Sequence, residues 1–210
     1  IMLRIKLTLL TLIIGACATV SNSDVILLDS KPINAKSENI LENQLKETPI
    51  DIWERIRREL TIKIPDDQIA ATSIYRERLY KNQSAVNRIS KSGQRYLFHT
   101  LSRAQELDLP VELALLPFVE SEFDPYAKSV DGATGIWQFM PATGKEWGLK
   151  SNWWYDGKKD VLASTEAALK FLSYLHQKFD EDWLLAMAAY NTGPSRVNRA
   201  IRKNKMQDKG

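Results

Sequence analysis

An apolar run in this chain ends on an acid. Ala114-Leu115-Leu116-Pro117-Phe118-Val119 leads directly into Glu120-Ser121-Glu122. A carboxyl group on the edge of an apolar helix loses hydration, which disfavours its charged form and raises its pKa. Such a group holds a proton near neutrality and can deliver it to a leaving group as a general acid. Phe118, Val119 and Phe123 flank Glu120 locally, and Trp137, Phe139 and Met140 follow at short separation. The plainer alternative is a helix-end carboxylate in water. Glu122, two positions on, faces away from Glu120 on a helix and reads as a solvated charge. A paired-carboxylate mechanism would draw its second acid from Asp131, in a loop where aspartate also favours turns.

Other chemistries have little material. The 210 residues include two histidines, His99 and His176, and one cysteine, Cys17. That leaves no Cys/His metal site and no disulfide within the chain. The net charge of +3 is small and scattered, which argues against a nucleic-acid partner.

The elements that must position Glu120 read as helices. Ile52, Ile56 and Leu60 recur at helical spacing, and Asp66 to Asn82 and Val86 to Leu107 are amphipathic, with Ile89, Tyr96, Leu97 and Leu101 on one face of the second. Pro110 can open a helix over Val111 to Phe123, in which Pro117 should kink the chain or tighten a turn. Asp124-Pro125 stops it. A glycine-bearing loop, Ser129 to Gly135, precedes a short helix opening the segment Ile136 to Gly148; Asn152 to Asp160 is aromatic and turn-rich. Ser164 to Phe179 places Ala168, Leu172, Leu175 and Phe179 on one face. Trp183 to Tyr190 reads as a buried helix, broken at Gly193-Pro194 before another begins at Ser195. No alternating run of strand length is present, so the fold class is mainly α.

The motifs fall in a recognisable order: Glu120-Ser121, Ser129, Gly135-Ile136-Trp137-Gln138-Phe139-Met140-Pro141, then Ala189-Tyr190-Asn191-Thr192-Gly193. This order resembles the lytic transglycosylase family, over roughly residues 50 to 201 and most strongly from 109 on. The resemblance implies a lysozyme-like (goose-type) helical domain at 108–210, preceded by a helical collar at 49–107. It implies peptidoglycan glycan strands as the partner and cleavage between N-acetylmuramic acid and N-acetylglucosamine without water, leaving a 1,6-anhydro end. Glu120 is then the single catalytic acid and later the base. Ser121, Ser129, Gln138, Met140, Tyr190 and Asn191 are the implied substrate-side residues, with the Tyr190 hydroxyl expected to orient the glutamate. No metal or organic cofactor is implied, and the protein is expected to act as a monomer. The family continues beyond the point corresponding to Lys209-Gly210, so the catalytic domain is expected to be incomplete at its C-terminus. A hydrolytic muramidase of the same fold and an inactive, tethered peptidoglycan-binding protein remain alternatives.

Trp137, Trp147, Trp153, Trp154 and Tyr155 offer flat faces for sugar rings, with at least one of Trp153 and Trp154 expected in the core. Lys145, Lys150, Lys158 and Lys159 read either as neighbours of peptide-stem carboxylates or as a solvated face. At the N-terminus, Arg4 and Lys6 precede an apolar stretch, Leu7 to Gly15, too short for a lasting membrane helix. Ile14-Gly15-Ala16-Cys17 resembles a bacterial lipoprotein processing site. Residues 1–17 are therefore expected to be a signal peptide, Cys17 the lipidated residue, and 18–48 a disordered linker. Ala18 after the cysteine implies sorting to the outer membrane, on its periplasmic side.

Overall fold

The computed structural model describes residues 51–64, 77 and 81–207. The signal segment with Cys17, the 18–48 linker and most of the Asp66–Asn82 helix lie outside the described residues. The described residues form eight α-helices: α1 (Ile52–Arg58), α2 (Gln83–Gly93), α3 (Leu97–Glu106), α4 (Leu116–Ser121), α5 (Pro141–Glu146), α6 (Val161–Lys178), α7 (Trp183–Thr192) and α8 (Pro194–Gln207), with a 3-10 helix over Val111–Leu115. Among the described residues strand pairing is confined to isolated bridges, Lys128 with Thr134, Thr134 with Phe139, and Ser151 with Asp156. The fold is mainly α, as expected. No described helix is long and apolar enough to cross a membrane.

The core forms around α6. Its Ala168, Leu169, Leu172 and Leu175 are buried, and α6 packs against both α7 and α3. Asp160 starts the helix three residues earlier than the apolar pattern alone predicts, because its Oδ1 accepts from the N–H groups of Leu162 and Ala163, both at 3.0 Å. Asp182 caps α7 in the same way through Leu185 N–H. Pro194 opens α8, where its missing N–H costs nothing.

Three expectations are corrected. The Val86–Leu107 helix is two helices, α2 and α3, separated at Gln94–Tyr96. The break follows Gly93, whose Cα lies under the Phe118 ring; a Cβ there would collide with Cζ and Cε1. The Val111–Phe123 helix is likewise divided. A 3-10 segment runs to Leu115, and Pro117 falls in the first turn of α4, where proline is tolerated. The helix also ends before Asp124-Pro125. Glu122 (φ 52°) and Phe123 (φ 60°) are left-handed, and Phe123 N–H closes back on the Pro117 carbonyl at 3.2 Å. Left-handed backbone costs about 1–2 kcal/mol per non-glycine residue. Full burial of the Phe123 ring, edge-on to Phe118 at 4.6 Å, returns about 1.5–3 kcal/mol. The two residues together cost about 2–4 kcal/mol, so ring burial offsets most of the strain at the point where α4 stops, one residue after Glu120. Finally, the short helix expected from Ile136 begins only at Pro141, since Ile136–Gln138 turns so that Phe139 can pair with Thr134.

The N-terminal segment joins the same core. Ile56 of α1 is buried within it, and Trp53 lies 5.6 Å from Phe118. Glu112 secures this junction. It is 3% exposed, and its Oε1 accepts from the N–H groups of Thr61 and Ile62, each at 2.6 Å.

Candidate active site

Glu120 stands in the last turn of α4, partly buried. Its Oε1 accepts a hydrogen bond from Asn191 Nδ2 at 3.1 Å, across 71 residues of sequence. Two further contacts fix the wall beside it. Ser121 Oγ donates to the Ile136 carbonyl at 2.9 Å, and Tyr190 Oη donates to the next carbonyl, that of Trp137, at 2.8 Å. The end of α4 and the end of α7 thus grip successive peptides of one turn. Trp137 is fully buried and its indole N–H donates to Thr165 Oγ1 at 3.0 Å, which pins the turn to α6.

Tyr190 is enclosed by Phe139 and Phe171, with ring centroids 6.2 and 5.4 Å away. Burial, and then the charge of nearby Glu120, hold its phenol well above the ordinary value of 10.0. It therefore stays an O–H donor throughout the neutral range. The donation seen is to Trp137, so the residue's tie to Glu120 runs through the turn and through proximity, while Asn191 supplies the direct bond.

The other implied site residues build the loop. Ser129 Oγ accepts from Ala133 N–H at 3.0 Å. Gln138 (φ 49°) commits its side-chain NH2 to the carbonyls of Gly135, at 2.9 Å, and Ala127, at 3.3 Å. Met140 lies at the head of α5 and is 41% exposed. Gly135 (φ 84°) is needed on two counts: its backbone is left-handed, and a Cβ would run into the Lys158 carbonyl.

The structure overturns some expectations about neighbouring residues and leaves others standing. Trp137 offers no face to a ligand, being wholly inside. Trp147 is half-buried, packed on Phe171 and Tyr174. Neither Trp153 nor Trp154 is in the core; they are 79% and 77% exposed. Lys158 is not on a solvated face: it is 8% exposed, with Nζ 2.6 Å from Asp156. Glu122 is exposed but paired, its two oxygens each 3.0 Å from the Arg88 guanidinium. Asp131 lies exposed in the turn closed by Gly132 N–H on the Ser129 carbonyl. Sequence reasoning missed Glu112 and Thr165. Glu112 carries the same signal that singled out Glu120, an acid within an apolar run; Thr165 shows only as a hydroxyl on the apolar face of α6. Among the described residues no group of three or more His, Cys, Asp or Glu side chains is placed to hold a metal.

An all-helical domain with one carboxylate at the broken end of a short helix, bonded by an asparagine from a distant helix, defines the class. The profile of the Transglycosylase SLT domain family matches residues 98–210, and the chain belongs to that family. It is 40% identical over 159 residues to membrane-bound lytic murein transglycosylase D of Escherichia coli (strain K12), covering 76% of this chain and 35% of that protein. It is 46% identical over 112 residues to a putative tributyltin chloride resistance protein of Alteromonas sp. (strain M-1), covering 53% of this chain and 54% of the relative. The soluble lytic murein transglycosylase of Salmonella typhimurium (strain LT2) is 31% identical over 108 residues, which is 48% of this chain and 16% of that protein. The chain thus spans about a third of the length of the murein transglycosylase D relative.

Proposed function

We propose that this chain carries the catalytic centre of a peptidoglycan lytic transglycosylase, with 108–210 as the catalytic region and 49–107 as its collar. The observation that carries the reading is the 3.1 Å bond from Asn191 to Glu120, which brings the two family motifs together on one carboxyl group. The neighbouring acids are otherwise engaged. Glu112 is bonded to the Thr61 and Ile62 N–H groups and Glu122 is forked to Arg88; Asp131, by contrast, points into solvent from its turn. That supports a one-acid mechanism over the two-carboxylate scheme of ordinary glycosidases.

Glu120 gives its proton to the glycosidic oxygen between N-acetylmuramic acid and N-acetylglucosamine. The bond to C1 breaks and the leaving sugar departs with that proton. The N-acetyl group of the muramyl residue stabilises the positive charge at C1. Glu120, now a carboxylate, takes the proton from the C6 hydroxyl as that oxygen bonds to C1. The product is a 1,6-anhydromuramyl end, and Glu120 is protonated again. Nucleophile and electrophile belong to one sugar, so holding the ring supplies much of the rate. Ser121, Ser129, Gln138, Met140 and Tyr190 shape the substrate side around this acid. Lipidation at Cys17 would tether the domain to the outer membrane, facing the periplasm; the name of the membrane-bound E. coli relative is in keeping with this.

The test is mass spectrometry of purified sacculi digested by the wild-type protein and by Glu120→Gln. Anhydro ends from the wild type, with cleavage down at least about a hundredfold in the variant, are expected. Reducing ends would make it a hydrolase, and full cleavage by the variant would remove Glu120 from the reaction.

A further inference from the structure

The loop between α5 and α6 displays two indoles that the fold does not use. Trp153 and Trp154 are stacked with ring centroids 3.2 Å apart and planes 29° from parallel, and both are more than three-quarters exposed. The backbone beneath them is strongly determined. Asn152 Oδ1 accepts from the N–H groups of Trp154 at 2.9 Å and Tyr155 at 2.8 Å, and Asn152 N–H donates to the Tyr155 carbonyl at 2.7 Å. Ser151 bridges to Asp156, whose carboxylate is held by buried Lys158, and the Tyr155 hydroxyl donates to Asp160 at 2.8 Å. A mobile loop would not need this framework. It fixes two large apolar rings in water, the place folding normally removes them from.

We propose that Trp153 and Trp154 form an accessory platform for the sugar rings of a glycan strand, outside the residues around Glu120; the proposal rests on the transglycosylase reading above. Two observations favour a sugar over other occupants. From Lys150 to Asp160 the only apolar side chains are aromatic, and Ser151, Asn152 and Lys159 border them. A pyranose has an apolar C–H face and a rim of hydroxyls, which this combination of aromatic rings and polar neighbours matches. The loop is also joined to the site. The Lys158 carbonyl lies against Gly135, and the Gly135 carbonyl accepts from Gln138. A strand seated on the indoles would be held to the same rigid unit that carries the candidate site loop. On a polymer, a second contact raises the local concentration of every linkage near the acid.

The test is co-sedimentation with purified sacculi, run in the Glu120→Gln background so that cleavage does not remove the ligand. Trp153→Ala/Trp154→Ala should weaken binding about tenfold, and Trp153→Phe/Trp154→Phe should restore most of it, because stacking needs a ring and not an indole N–H. In the otherwise wild-type protein, the alanine pair should raise the half-saturating sacculus concentration while the melting temperature stays put. Equal binding by the alanine pair and its parent overturns the platform. So does a loss of binding to phosphatidylglycerol vesicles with sacculus binding intact, which would assign the indoles to a lipid surface. Failure of the transglycosylase reading shows separately, as an absence of anhydro ends from the wild type.

Discussion

Tyr190→Phe separates two ways in which α7 can serve Glu120. The substitution keeps the ring, and with it the contacts to Phe139 and Phe171, so no cavity forms. It removes only the hydroxyl that donates to the Trp137 carbonyl at 2.8 Å. Trp137 is fully buried, so its carbonyl loses its side-chain donor in a site with little access to water. An orphaned buried carbonyl costs about 1–3 kcal/mol. For a chain of this size each kcal/mol lowers the melting temperature by about 2–4 °C, so a fall of roughly 2–12 °C is expected. The turn also supplies the Ile136 carbonyl that receives Ser121, next to Glu120. Loosening it should slow sacculus cleavage by about tenfold, since small displacements of reacting groups carry penalties of that order. Calorimetry gives the first quantity, and turnover measured well below the transition gives the second. A variant that melts like wild type while losing cleavage almost completely would refute the reasoning. The hydroxyl would then act on the acid or the sugar directly.

Glu112→Ala should destabilise the chain by about 2–5 kcal/mol, because two N–H groups, Thr61 and Ile62, lose their shared acceptor. Urea unfolding checks the size, and hydrogen exchange should show those two amides losing protection first; a change under about 0.5 kcal/mol would deny the junction its role. Acid stability should depend on Glu166, which Arg103 and, after the cost of burial, Lys170 hold down to about 2 from an ordinary 4.5. The folded-state value is depressed, so this contribution is complete above pH 4.5 and is lost as the pH falls towards 2. Arg103→Met should flatten the stability curve in that window, and an unaltered slope would show that the pair contributes nothing there.

How much was legible in the sequence varies with the range of the forces involved. The position of α6 follows from its spacing of Ala168, Leu172 and Leu175, and the break at Gly193-Pro194 from local backbone chemistry. Both depend on near neighbours in the chain. The splitting of Val86–Leu107 was not legible, because it turns on the Phe118 ring lying across Gly93. Nor was the end of α4, where burial of Phe123 offsets most of the left-handed strain at Glu122 and Phe123. Trp153 and Trp154 defied composition for a related reason: a local hydrogen-bonded loop holds them outward, stacked on each other.

The acids give the sharpest comparison. By residue type alone, Glu112 and Glu120 are equivalent, each a carboxylate within one apolar run. The ordered motifs around Glu120 distinguish it and place the chain in its family, and those are properties of the linear sequence. The reason Glu112 takes no part at the site is spatial. Its oxygen is occupied by amides 50 and 51 residues away, whereas Glu120 receives an asparagine from 71 residues further on. Local order in the chain determined which helices form and which motif could do chemistry. Only the tertiary structure decided which acid is bonded to backbone N–H groups that hold the fold together and which meets Asn191 at a helix end beside the turn that Ser121 and Tyr190 secure. The physical reason is that buried backbone donors must be satisfied by whatever the fold brings within reach.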